Sequence, residues 1–291
     1  MRKQFVETVK SIMATDPRIV VILGDIGEYS FRDVFQAYPK RIYNVGISEQ
    51  AMISMAAGLA KEGFIPIVHT ISPFLVERAY EQIKIDIGYQ GRKVILVGCG
   101  GSYDYAAYGA THHSPADVAL MYNVPGINIC IPGHPLELDY LLKEAINDDE
   151  PYYFRLGETS NSDTCTPIYL FMQNPDEWKT IIIAVGNILD KALEANNKRF
   201  NILYSNIIPI DYDFNFQLGE ELINVIIIEP YYPVLCNEVI KAVNHPIRIL
   251  NIGVPRQFIH EYGKISDIDQ ITGLSVEGIR KQIEEFLNDK G

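Results

Sequence analysis

The sequence predicts an α/β protein of two consecutive three-layer α/β domains, and three observations carry that prediction. Short apolar runs bounded by glycine and polar residues alternate with segments of helical periodicity, the signature of parallel sheets covered by helices. A polar, irregular stretch at residues 159–177, with Pro167 and Pro175, interrupts the alternation, which then begins again. A length of 291 residues is long for one domain and comfortable for two. The expected division is a first domain over 1–158, a linker over 159–177 and a second domain over 178–291.

In the first half, Phe5, Val9 and Ile12 recur at helical spacing within residues 5–15, and residues 20–23 read as a buried strand closed by Gly24-Asp25-Ile26-Gly27. Asp25, between glycine-bearing turns, suits a turn residue. A short helix at 31–37 leads to a strand at 42–45. Gly46 lets that strand turn into a helix of small residues over 48–61, with Ser48 as its N-cap. Glu49 then stands in the first helical turn at the carboxyl end of a strand, where the helix dipole favours a carboxylate and where ligands of α/β sheets gather. The position alone is also explained by a carboxylate that only completes the helix start.

A strand at 65–70 leads into a helix at 72–89, whose Phe74, Tyr80 and Ile83 have the spacing of a core face. The strand at 94–99 opens through Gly98, Gly100 and Gly101 into a long loop. Helices at 115–122 and 135–147 flank a strand at 126–131, and a strand at 152–156 closes the domain. Arg155 lies inside that last apolar strand, where a charge costs free energy unless it is paired or functional, and Glu158 and Glu150 are the partners nearest in sequence. Beyond the linker come a strand at 180–185, a helix at 189–196, strands at 200–205 and 224–229, a helix at 234–243, a strand at 248–252 and an amphipathic helix at 275–288.

The formal net charge of -12 is spread rather than blocked, which argues against nucleic acid or an anionic membrane as partner. Cys99, Cys130, Cys165 and Cys236 have no metal-like or redox-like spacing, so they read as packing residues of a protein in the reducing cytoplasm. The start, Met1-Arg2-Lys3-Gln4-Phe5, has no apolar signal core behind it, and no stretch is long enough to span a bilayer. His112 and His113 follow Gly109-Ala110-Thr111 in a loop, a placement hard to explain as core filling. No further Cys, His or acidic cluster stands at ligand spacing, so no metal site is expected within this chain.

Three stretches in this order and spacing, Gly46-Ile47-Ser48-Glu49-Gln50, residues 74–82 and Gly109-Ala110-Thr111-His112-His113, resemble the pyrimidine-binding domain of the transketolase family of thiamine diphosphate enzymes. The similarity takes in 1-deoxyxylulose-5-phosphate synthase and extends over essentially the whole chain, residues 265–277 having the closing shape of the family's carboxy-terminal domain. The resemblance implies that Glu49 hydrogen-bonds the ring nitrogen of the cofactor's aminopyrimidine and favours the tautomer that removes the thiazolium proton. It implies that Phe74 stacks on that ring, with Arg78, Tyr80 and Asp25 also at the cofactor. It places His112 in the substrate channel as the second catalytic residue, with His113 and Tyr108 beside it, and gives Arg155 the phosphate of the sugar, which a guanidinium suits.

Two departures bear on the substrate. Tyr108 stands where the family carries an aspartate four residues before the channel histidine, and the region around Gly100 lacks a further loop histidine. With Tyr103 and Tyr105 the loop is aromatic, which points to an altered substrate and leaves open whether Tyr108 changes the substrate class. Thiamine diphosphate and Mg2+ also need a second domain bearing Gly-Asp-Gly followed by Asn-Asn. No Gly-Asp-Gly occurs here, and Asn196-Asn197 falls in a helix of the other domain.

The chain thus looks like the carboxy-terminal subunit of a split transketolase. Thiamine diphosphate and Mg2+ would be shared with an obligate partner carrying that motif, in an α2β2 heterotetramer, and a two-carbon ketol unit would pass from a ketose to an aldehyde. Two alternatives stay open. The β subunit of a 2-oxoacid dehydrogenase has the same layout, although the run Ala116-Asp117-Val118-Ala119-Leu120-Met121 after the histidines looks more like the sugar-using branch. A non-catalytic scaffold would have no chemical need for Glu49, Phe74 and His112 together.

Overall fold

Apolar runs become strands where both faces can be covered. In the computed structural model, which describes residues 1–174, 176, 178–210, 223–243 and 245–289, α1 (Arg2–Thr15) precedes β1 (Ile19–Leu23), and α2 (Arg32–Ala37) leads to β2 (Ile42–Asn44). Then come α3 (Glu49–Lys61), β3 (Ile65–Ile71), β4 (Ile95–Cys99), β5 (Asn128–Cys130) and β6 (Tyr152–Leu156). These strands pair in parallel in the order β5-β6-β4-β3-β1-β2. Helices cover both faces, which is why β1 and β4 are buried at every position instead of alternating. Ile19, Val21 and Leu23 face Phe5, Val9 and Met13 of α1, whereas Ile22 faces Met52, Ile53 and Ala56 of α3.

A second sheet contains β7 (Ile168–Phe171), β8 (Thr180–Val185) and β9 (Asn201–Ser205), together with β11 (Asn224–Ile228) and β12 (Arg248–Ile252). Its order is β12-β11-β8-β9-β7, with β7 antiparallel at the edge. The short β10 (Ile207–Ile208) leaves this half and pairs antiparallel with β5, extending the first sheet. One apolar cluster runs from Ile22, Val68 and Tyr153 to Ile181, Leu203 and Val225, so the two sheets share a core. Both α/β units of the expectation are present. No helix among the described residues is long and apolar enough to cross a membrane.

Three local expectations change. The linker contains β7, which reads as polar because it is an edge strand with Tyr169 half-exposed while Ile168 and Leu170 pack inward; Pro175 and Glu177 lie outside the described residues. The helix expected at 72–89 is broken into Ser72–Val76, Tyr80–Gln82 and a π-helical segment Ile83–Tyr89. The glycine loop after β4 winds into a 3-10 segment, Ala106–Thr111, kinked at Gly109, whose φ of 70° and contact with the Tyr262 ring leave no room for a side chain.

Arg155 corrects the ion-pair expectation. Its partner is neither Glu158 nor Glu150 but Asp117 at the start of the helix Asp117–Tyr122, Nε to Oδ2 at 2.9 Å, with both side chains buried. Asp117 Oδ2 also accepts from Tyr153 Oη at 2.9 Å, and Oδ1 from the Val118 amide at 2.9 Å. Arg155 Nη2 donates to Ser102 Oγ at 2.5 Å and lies 3.4 Å from the Pro230 carbonyl of the second half, which Ser102 Oγ also meets. A buried pair is tolerable only when its remaining polar atoms are satisfied in this way.

Two outcomes follow for stability. Arg155→Ala strands a buried carboxylate and should lower the unfolding free energy in urea by about 3–5 kcal/mol, whereas Arg155→Met combined with Asp117→Leu should lose far less; a single-variant loss near zero would show that the pair is not structural. Glu229, at the end of β11, is fully buried and accepts from the Val234 and Leu235 amides, and burial pushes its carboxyl up to about 7. Because folding raises this pKa, its contribution is present at low pH and lost as pH rises through about 7. Unfolding free energy should therefore increase from pH 8 towards pH 5, and Glu229→Gln should flatten that part of the profile.

Candidate active site

The strand order reverses around β1, so the chain ends following β1, β2 and β3 converge on one edge of the sheet, the place where such sheets bind ligands. Asn44, at the end of β2, organises this edge: its Oδ1 accepts from the amides of Asp25 at 3.0 Å and Gly46 at 3.1 Å. Gly46 takes a φ of 73° and turns the chain into α3. Ser48 is the N-cap by position, but its hydroxyl makes no capping bond, correcting that expectation. The first turn of α3 therefore keeps free amides around Glu49.

Glu49 is 1 % exposed. Its Oε2 accepts from Arg78 Nη1 at 2.7 Å, and its Oε1 is buried with no partner. Arg78 reaches it because the helix breaks after Val76: Arg78 lies between two helical pieces, its amide meeting the Pro73 carbonyl at 3.3 Å. The same guanidinium lies over Phe74, with Cζ 4.2 Å from the ring centroid. Phe74 in turn meets His112 edge-on at 5.3 Å between centroids. The Tyr108 ring stands 5.1 Å from His112, and Tyr105 stands 6.0 Å from it. Glu49, Arg78, Phe74, His112 and Tyr108 thus form one contiguous line of contacts.

His112 Nδ1 meets Thr111 Oγ1 at 2.9 Å, which fixes the ring and leaves Nε2 as the free nitrogen. Tyr108 is largely exposed at the mouth. His113 turns the other way: it is buried, its Nε2 has no partner, and burial, with His112 beside it, lowers its pKa. It lines a cleft of about 320 Å³ between the two halves, with Glu77, Leu120, Tyr232 and Phe258. Tyr80 packs against the core, as a core-face residue would. Asp25 is exposed beside β2 and takes a left-handed φ of 59°, with Oδ1 accepting from Asn44 Nδ2 at 3.2 Å. Arg155 is held by Asp117 and Ser102 in the interior, so an anion could reach it only by displacing them.

Asp117, Ser102 and Tyr153 escape a sequence reading. The available signal was an aspartate heading the apolar run Val118-Ala119-Leu120-Met121. A glutamate with one buried, unpartnered oxygen at a helix start, beside an aromatic face, fits a planar nitrogen heterocycle that hydrogen-bonds and stacks at once. Among the described residues no group of three or more His, Cys, Asp or Glu side chains could hold a metal ion.

The family described as transketolase, pyrimidine binding domain, matches residues 1–162. A protein named as an uncharacterized 33.6 kDa protein in the fasciation locus of Rhodococcoides fascians is 35 % identical, over 97 % of this chain and 93 % of its own. An apulose-4-phosphate transketolase subunit of Phocaeicola vulgatus is 29 % identical, over 98 % of this chain and 97 % of its own. A solved structure, a split gene transketolase described as an inactive beta4 tetramer, superposes with a TM-score of 0.85 at 24 % identity, covering 100 % of this chain and 99 % of the other, and shares the fold.

The unpartnered oxygen of Glu49 makes a stability prediction. Glu49→Met removes a buried orphan acceptor at the cost of a one-sided ion pair, so the free chain should gain about 1–2 kcal/mol in urea unfolding. A loss of similar size would mean that the carboxylate is structurally satisfied.

Proposed function

The chain belongs to the transketolase pyrimidine-binding domain family, and from that premise we propose that it is the carboxy-terminal subunit of a two-component, thiamine diphosphate-dependent transketolase. The observation that supports this most directly is the buried, unpartnered Oε1 of Glu49 at the start of α3. Thiamine diphosphate, when bound, supplies a carbon nucleophile that cleaves a ketose and carries its two-carbon unit to an aldehyde.

This chain's part is to bind, orient and move protons. Glu49 Oε1 would meet the ring nitrogen of the aminopyrimidine and hold the proton there, while Phe74 offers the face on which that ring stacks. Of the other residues assigned to the cofactor, Arg78 lies over that face and pairs with Glu49, Tyr80 packs against the core, and Asp25 pairs with Asn44 at the end of β2. His112 Nε2 is free to hydrogen-bond a sugar oxygen, with Tyr108 as a wall of the channel and His113 lining the adjoining cleft. Tyr108 takes more room than an aspartate and bonds a hydroxyl without charge, which selects the substrate. The relative from Phocaeicola vulgatus is named for apulose 4-phosphate, so phosphorylated sugars are the class to test first.

The diphosphate and Mg2+ would be held mainly by a partner subunit with Gly-Asp-Gly and Asn-Asn, in an α2β2 assembly in the cytoplasm. The name of the Phocaeicola vulgatus relative, which makes that protein one subunit of a transketolase, supports such a division.

Calorimetric titration of thiamine diphosphate and Mg2+ should show tight binding to the mixture with the partner and none at the same concentrations to this chain alone. Glu49→Ala should leave assembly intact and lower turnover by about 10²–10⁴-fold. No binding in a mixture shown to form a complex would sink this reading, and CO2 release from a 2-oxoacid would move the chain to the dehydrogenase branch.

A further inference from the structure

Building on the function just proposed, we propose that Arg78 occupies the place of the aminopyrimidine in the free subunit and must be displaced before the cofactor can bind. Two contacts locate the guanidinium: Nη1 lies 2.7 Å from Glu49 Oε2, and Cζ lies 4.2 Å from the Phe74 centroid. These are the two groups the pyrimidine needs. A planar ring that hydrogen-bonds Glu49 while stacking on the same face of Phe74 would overlap the place where that guanidinium lies.

The likeness is chemical as well as spatial. A guanidinium is a flat, delocalised N–C–N unit that donates to carboxylates and stacks on aromatic faces. An aminopyrimidine is likewise flat and carries an N–C–N unit through its two ring nitrogens, so one pocket can accept either. The fit of the guanidinium is incomplete, because it satisfies Oε2 and leaves Oε1 buried without a partner. A heterocycle seated against Glu49 can answer that second oxygen.

The two partners differ in freedom. Glu49 is fixed, with its side chain 1 % exposed, whereas the Arg78 side chain is 41 % exposed and springs from the break between Ser72–Val76 and Tyr80–Gln82. Swinging Arg78 into solvent moves no buried cation, but it leaves the buried Glu49 carboxylate without its one partner until the ring takes that place, so displacement is coupled to binding. The arginine is therefore a removable occupant, and the carboxylate behind it is the fixed half of the site. Filling the pocket from within keeps a buried acid and an aromatic face covered until the cofactor arrives.

The test titrates the full chain, without a partner, with 4-amino-5-hydroxymethyl-2-methylpyrimidine, a probe that needs only this half of the site. Arg78→Ala should bind it about tenfold more tightly than the unmodified chain. Arg78→Lys, which can still reach Glu49 but has no plane to lay on Phe74, should fall between the two, and thermal melting confirms that each variant is folded. Affinity that is unchanged, weaker or undetectable at millimolar probe in folded Arg78→Ala overturns the proposal. Glu49→Ala, alone and in the Arg78→Ala background, separates the two levels of inference. If probe binding depends on Glu49 but Arg78→Ala brings no gain, only the role of Arg78 falls; if binding ignores Glu49 in both backgrounds, the pyrimidine reading of the site falls with it.

Discussion

The buried pair between Arg155 and Asp117 is the constraint on which the arrangement of the candidate site depends. Two charges removed from water are costly, and this pair is held because nearly every polar atom around it is answered. The answering groups come from different places: β6 supplies Tyr153 and Arg155, the loop after β4 supplies Ser102, and the second half supplies the Pro230 carbonyl. The pair therefore fastens the root of the loop that later carries Tyr105, Tyr108 and His112. Further along, Tyr103 donates to Asp269 at 2.7 Å, tying the same loop to the helix Ile265–Thr272. A loop held at its root and on the far domain can present His112 to Phe74 in a fixed orientation.

The opposite wall is built by different physics. Glu49 is placed by the turn that Asn44 and Gly46 make at the end of β2, and its burial is supported by the start of α3 and by Arg78. Phe74 follows β3, and the break after Val76 turns Arg78 towards Glu49 instead of continuing along a helix. The site is thus formed where a rigid sheet edge meets an interrupted helix. Interruptions of this kind recur at functional positions because they redirect a side chain without disturbing the core, here Ile83 and Ile87 beneath the π-helical segment.

The strands and the Glu49 turn were legible because their signals are local: apolar runs of strand length, a glycine with room to turn, and a cap-type residue ahead of small helix formers. Phe74, Tyr80 and Ile83 fit an unbroken helix equally well, so periodicity carried no sign of the break that positions Arg78. The partner of Arg155 was out of reach for another reason. Glu158 and Glu150 are near in sequence, but β6 lies beside β4 and under the helix Asp117–Tyr122, so the nearest carboxylate in space comes from a segment far away in the chain. Strands β7 and β10 were hidden because an edge strand with one wet face reads as linker, and a two-residue strand leaves no pattern at all.

Buried polar atoms without partners do not by themselves mark a binding site: Asn161, Asn206, Asn224 and Tyr231 each leave an unanswered side-chain atom as well. Glu49 differs in its surroundings. Its unanswered oxygen belongs to a carboxylate, the group that loses most by going unpaired, and it stands at a helix start beside an aromatic face and a part-exposed arginine. His113, with its own unanswered nitrogen, lies one residue beyond His112 and lines the adjoining cleft. A fold that satisfies Asp117 and Arg155 so thoroughly has the means to satisfy Glu49 in the same way. Under the proposed function, the unanswered oxygen is one half of an interaction whose other half is brought by a ligand, and a planar, hydrogen-bonding ring can meet both Glu49 and Phe74.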